Sequence, residues 1–147
     1  MTYYHGSQKE IKNFILPRQS NVINKEKAVF ATQEKWLAVF FIAPANDSDI
    51  ECGFYKGQAL IIEQYPNAFD KLKIPGYIYS VDKKYFSSDP RLGMLDHEFI
   101  SREKVPIKTS KVIKNVYGFL KRQKKLWMIP FEKKMEYIYK ARKESEK

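Results

Sequence analysis

The stretch Ala28-Val29-Phe30-Ala31-Thr32-Gln33-Glu34-Lys35-Trp36-Leu37-Ala38-Val39-Phe40-Phe41-Ile42-Ala43-Pro44 changes its period halfway. Ala28–Ala31 is a short apolar run that reads as a strand. Thr32 follows as a helix N-cap, with Gln33 and Glu34 in the first turn. Trp36, Leu37, Val39, Phe40 and Phe41 then spread apolar surface nearly all round the helix. Such a helix belongs inside the molecule. Pro44 ends it.

Working outward, Thr2–His5 reads as a short strand that ends in Gly6-Ser7. Residues 8–16 suggest a turn or short helix stopped at Leu16-Pro17, and 17–27 a polar loop. On the other side, 45–53 reads as a polar loop, and Ala59–Gln64 and Gly76–Val81 as strands. Residues 66–70 form a turn or one helical turn between them. Residues 83–96 make a long polar loop that carries Ser87-Ser88-Asp89-Pro90. Glu98–Ser101 and Val105–Ile113 read as strands, with Pro106 marking an edge or a bulge. Residues 115–125 look helical. Phe131, Met135, Ile138 and Tyr139 recur at helical spacing after Pro130. This order lacks the βαβ alternation of a doubly wound sheet, and the expected class is α+β. G-x-G-x-x-G, G-x-x-x-x-G-K-[ST] and H-E-x-x-H are all absent, which removes the Rossmann, P-loop and zincin readings.

The chain has 147 residues, 44% hydrophobic and 15% aromatic, so it is long and apolar enough for one ordinary core. Cys52 is the single cysteine, and His5 and His97 are the two histidines. An internal disulfide and a cysteine-based zinc site are excluded, and no metal centre is expected. Asp49 and Glu51 near Cys52 argue against a reactive thiolate. The start Met1-Thr2-Tyr3-Tyr4-His5-Gly6 has no basic region ahead of an apolar run, and Leu37–Pro44 is too short to span a bilayer. The expected setting is cytoplasmic, with no membrane partner.

The net charge of +10 is unevenly spread. Residues 1–103 hold 13 basic and 13 acidic side chains, whereas 104–147 hold 14 and 4. That split predicts a domain over 1–114 and a basic helical extension over 115–147. It also makes 104–147 the place where nucleic acid or an acidic protein would bind, unless the lysines simply solvate a surface.

Three segments carry candidate chemistry: Tyr3-Tyr4-His5-Gly6-Ser7, Val29-Phe30-Ala31-Thr32 with Phe40 eight residues on, and His97-Glu98-Phe99-Ile100-Ser101. In this order they resemble the ADP-ribosyltransferase superfamily, including its diphtheria-toxin-like and rifampin-modifying branches, over about residues 2–115. That family has a histidine on its first strand, an aromatic or hydroxyl residue on a second strand followed by a helix, and an acid on a late strand. The resemblance implies two small, mostly antiparallel sheets forming an NAD cleft, with a few flanking helices.

It also implies the site. His5 would hold the adenine-side ribose, and the backbone of Gly6 the nicotinamide carboxamide. Ser7 would lie beside them, and Phe40 would stack on nicotinamide. Glu98 would bind the ribose 2′-hydroxyl, favour positive charge at C1′ as nicotinamide leaves, and orient the acceptor. Val29, Phe30 or Thr32 could fill the second-strand position, and only Thr32 has a hydroxyl. Asp89, ahead of Pro90, is the alternative acid, although Asp-Pro commonly just starts a turn. Two other functions stay open. One is a catalytically inactive module that binds a polyanion through the basic C-terminal region. The other is NAD-dependent RNA 2′-phosphotransferase chemistry, for which the five scattered arginines offer little support.

Overall fold

The computed structural model describes residues 2–20, 23–92 and 97–138. The expectations for residues 93–96 of the long loop, for Tyr139 and for the rest of the basic tail lie outside them. The strands are β1 (Thr2–Ser7), β2 (Phe14–Ile15), β3 (Arg18–Gln19), β4 (Lys27–Thr32), β5 (Ile50–Tyr55), β6 (Gln58–Glu63), β7 (Gly76–Asp82), β8 (Glu98–Ser101), β9 (Val105–Ile113) and β10 (Leu126–Ile129). The helices are α1 (Lys35–Phe40) and α2 (Val116–Lys121).

The fold is α+β with two sheets. One has seven strands in the order β2-β9-β7-β1-β4-β3, with β8 also paired to β4. The other has three, in the order β10-β6-β5. Every pairing is antiparallel except β10 with β6. Among the described residues no helix is long and apolar enough to cross a membrane.

Helix α1 lies between the sheets. Trp36, Leu37, Ala38, Val39 and Phe40 are all buried. They meet Ile78 and Ile113 of the large sheet, Ile50, Ile61 and Leu126 of the small one, and Val116 and Leu120 of α2. Burial of each large apolar side chain here is worth about 1.5–3 kcal/mol. Val116, Leu120 and Leu126 therefore belong to the same core as α1. The large sheet buries its other face as well, through Tyr3, Val29, Ala31, Tyr79, Val81 and Val105. Tyr3 stacks on Phe99 at 4.5 Å, and the Ile11 amide donates to the Tyr79 hydroxyl at 2.6 Å.

The structure corrects several boundaries. Residues 8–16 form no helix, because Phe14 and Ile15 pair with Pro106 and Val105 as β2. Residues 18–19 leave the expected loop to pair with β4. The loop after Pro44 ends at Ile50, where β5 begins and pairs with β6 along its whole length. Lys56 and Gly57 make the tight turn between them with φ of 48° and 81°, a type I′ geometry that fits the strand twist. Helix α2 is capped by Asn115, whose side chain accepts the Gly118 amide at 3.0 Å, and it ends at Lys121. The chain then forms β10, which the sequence reading lacks.

After Pro130 a 3-10 turn, Phe131–Lys133, leads into helical backbone over 134–138. Buried Glu63 ties this turn to the 3-10 turn Ala68–Leu72 by accepting the Phe131 amide at 3.0 Å and the Phe69 amide at 2.8 Å.

Candidate functional site

The site lies where β1 and β4 separate. Strand β1 pairs with β7 from Thr2 to Ser7, but its ladder to β4 is one rung, Tyr4 opposite Thr32. Thr32 also pairs with Glu98 of β8. Tyr4, Thr32 and Glu98 thus sit side by side across three strands, and the pleat sends them to one face. Beyond that rung the side chain of His5 reaches across to the carbonyl of Phe30 at 2.6 Å.

That bond sets the histidine's chemistry. A carbonyl only accepts, so Nδ1 carries the proton and Nε2 is left as an acceptor. Burial is the main influence on the ring and holds its pKa below the ordinary value, with nearby Arg18 acting in the same direction. The Phe30 bond opposes them without reversing the shift. His5 is therefore a neutral ring of fixed tautomer near neutral pH.

A cavity of about 320 Å³ opens here, lined by Tyr4, His5, Phe30, Thr32, Phe41 and Glu98 among others. On the far side of His5 runs a wider groove of about 800 Å³, whose lining includes Ser7, Lys9, Lys12, Phe14 and Arg18. The two spaces share His5, Gly6, Ser20, Phe30 and Phe41. Their sizes fall in the range of small-molecule sites.

Helix α1 forms one wall because Gly6 lets it come close. A Cβ on Gly6 would stand 2.1 Å from the Ala38 carbonyl oxygen and 2.8 Å from Ile42 Cγ1. Gly76 on the neighbouring strand meets the same helix end, its absent Cβ 2.4 Å from Ile42 Cγ2. The close approach allowed by Gly6 is thus made by the helix backbone. Thr32 starts the turn into α1: its Oγ1 accepts the Glu34 amide at 3.0 Å. Glu34 rather than Thr32 is the N-cap residue.

His5, Gly6, Phe30, Thr32 and Glu98 gather at one cavity, and Ser7 lies on the adjoining groove. Phe40 does not join them. It is 4% exposed and packed in the core, while Phe41 at the helix C-cap is 44% exposed and lines both spaces. The helix ends at Phe40, ahead of the expected stop at Pro44, and the cavity-facing stripe is Ala38 and Phe41, three apart. That spacing was the available signal for Phe41.

Asp89 is elsewhere. It is buried and held by Arg91 at 2.7 Å, with Arg102 at 3.7 Å, and both arginines also reach Glu26. The hydrogen bonds from Arg91 pull its pKa down to about 2, the state of a structural anion. Cys52 lies on β5 rather than in a loop. Burial first, then the charges of Asp47, Glu98 and Glu51, push its thiol up to about 12.

Among the described residues no group of three or more His, Cys, Asp or Glu side chains could hold a metal ion. Compared with known proteins, the chain matches no family model, no curated protein and no solved structure.

Proposed function

We propose that this chain is an NAD⁺-dependent ADP-ribosyltransferase that moves ADP-ribose to an acceptor and releases nicotinamide. The observation that carries the reading is the meeting of His5, Thr32 and Glu98 at one cavity. They come from a first strand, a second strand that feeds a helix, and a late strand. This is the arrangement the sequence resemblance implies. On this reading NAD⁺ would bind in the gap between β1 and β4, within the large sheet rather than between two sheets.

NAD⁺ supplies an ADP-ribosyl group whose bond from C1′ to nicotinamide is weak enough to break once it is oriented and charge at C1′ is stabilised. His5 Nε2 accepts a hydrogen bond from a ribose hydroxyl, and its Nδ1 bond to Phe30 keeps that acceptor in place. Phe41 offers a partly exposed ring for the flat nicotinamide, in the role first given to Phe40. Glu98 accepts from the 2′-hydroxyl and places negative charge beside C1′. Arg18 and the lysines of the groove face the anionic half of the dinucleotide.

The test is nicotinamide release from NAD⁺ by the wild type, Glu98→Gln and Asp89→Asn, each checked for folding by circular dichroism. Release lost in Glu98→Gln and kept in Asp89→Asn is the expected result. Absence of release by the wild type, with no heat of NAD⁺ binding up to millimolar concentration, refutes the reading and returns attention to the basic segment.

A further inference from the structure

The three-stranded sheet turns one face to α1 and the other away from it. Along β6, Ala59 and Ile61 join the core around the helix, while Leu60 and Ile62 point outward. The same alternation sends Leu126 of β10 inward and Trp127 outward, and Phe54 of β5 inward and Tyr55 outward. Tyr55 and Tyr137 pack over Leu60, Ile62 and Ile129 on that outer face. Trp127 is left 51% exposed, whereas tryptophan is usually well buried.

The indole is open but held. Tyr137 meets it edge to face, with centroids 6.4 Å apart and planes 86° apart. Tyr55 meets Tyr137 in the same manner, at 6.4 Å and 79°. Trp127, Leu60 and Gly53 form one row across the three strands. Nothing lies within 4 Å of the missing Cβ of Gly53, so the row steps down beside the rings.

Positive charge gathers at the same end of the sheet. Residues 121–137 hold six cations and two acids. Four of the cations, Lys121, Arg122, Lys124 and Lys125, run from the end of α2 to the start of β10, just ahead of Trp127. Lys124 and Lys125 are exposed, and among the described residues neither has a carboxylate partner. The Gln58 side chain donates to the Lys125 carbonyl at 2.8 Å, which ties the basic run to the turn between β5 and β6. Glu51, the acid that β5 adds to this face, stands toward the other end, opposite Ile62.

We propose that this end of the small sheet is a docking surface for single-stranded nucleic acid. A base stacks on Trp127, and Lys124 and Lys125 meet the phosphates beside it. The unequal charge of the chain calls for an anion, and the exposed ring selects among anions. Every base has a face to stack, and its backbone brings one negative charge per nucleotide. A duplex keeps its bases stacked inside and offers the indole nothing. An acidic peptide meets the lysines alone. The surface lies away from the cleft, so the inference stands or falls without NAD⁺ turnover.

The test is binding of a fluorescein-labelled oligothymidylate of about twelve nucleotides, followed by anisotropy without NAD⁺. The wild type is compared with Trp127→Ala, Trp127→Phe, the pair Lys124→Gln and Lys125→Gln, and the pair Lys108→Gln and Lys111→Gln. The last pair removes equal charge from exposed positions of β9. Circular dichroism confirms that each is folded. Trp127→Ala should weaken binding about five- to hundredfold, and Trp127→Phe should recover most of that loss. Losing Lys124 and Lys125 should weaken binding and lower the slope of log affinity against log salt by about 1.4, while the β9 pair leaves both nearly unchanged.

No binding at about 50 mM salt overturns the proposal, as do unchanged binding by Trp127→Ala and equal losses from the two lysine pairs. A duplex of the same length that binds as tightly as the single strand also overturns it. Tighter binding to polyglutamate assigns the face to an acidic protein instead. Binding to vesicles of phosphatidylserine and phosphatidylcholine with the same dependence on Trp127 assigns it to a membrane surface.

Discussion

Replacing Gly6 by alanine tests how the cleft is built. The added methyl carbon would sit 2.1 Å from the carbonyl oxygen of Ala38, about 1.3 Å inside ordinary contact, and 2.8 Å from Ile42. Side chains can swing away from such a clash, but a helix carbonyl cannot. Helix α1 must lift as a unit, and it carries five buried residues of the main core. Overpacking a well-filled core costs about 1–3 kcal/mol, and a backbone contact belongs at the upper end. For a chain of this size about 3 kcal/mol lowers Tm by roughly 6–12 °C. Thermal melting followed by circular dichroism at 222 nm reads the shift. Lifting α1 also moves Phe41 away from His5, so NAD⁺ affinity should fall in the fraction that remains folded. A variant that melts within about 2 °C of the wild type refutes the close packing of α1 on β1.

Other expectations follow from neighbouring residues. Phe40→Ala should cost about 3–5 kcal/mol in urea denaturation because it empties core volume. Phe41→Ala should cost less than about 1 kcal/mol but weaken NAD⁺ binding in calorimetry, and equal effects on stability would contradict the one-residue difference between them. Cys52 should react slowly with a disulfide reagent at pH 8 until the protein unfolds, since its thiol is pushed up to about 12; prompt labelling of the native protein would contradict that shift. Acid should destabilise the fold in two windows. Asp89 has a folded pKa of about 2 against 3.8 unfolded, so its contribution is complete above 3.8 and lost as pH falls through 2. Asp89→Asn should flatten the pH dependence of the urea midpoint in that range. His5, held below 6.5 by burial, takes up its proton more readily when unfolded, so stability also declines as pH falls below about 6.5.

The strand-to-helix stretch was legible because both periods were strong: a strand and then a buried helix lie there, although β4 runs one residue further at each end and α1 is capped two residues later and ends sooner than read, while β8 and β9 have the expected limits. Their partners were less so. Strand β5 mixes Glu51, Cys52 and Gly53 with apolar residues, and what makes it a strand is its tight turn to β6. Strand β10 is four residues long and gains its hydrogen bonds from β6, more than sixty positions earlier, so no local pattern announces it. His5, Thr32 and Glu98 could be chosen as candidates from short motifs, but their convergence depends on pairings between β1, β4 and β8. Phe41 was missed through helix phase, since a shift of one residue turns a side chain by about 100°.

The lone rung between β1 and β4 has a thermodynamic consequence. A sheet is normally most resistant to local opening along its central ladders, yet here the strand hydrogen bonding between β1 and β4 is one backbone pair, helped by one imidazole and by packing such as Tyr3 on Phe99. A ligand seated in that gap takes the place of the missing rungs. Because only the folded chain offers the gap, occupancy adds to the stability of the whole molecule as RT ln(1 + [L]/Kd). Whatever compound truly belongs there can therefore be recognised by the melting temperature it raises, before any reaction is known.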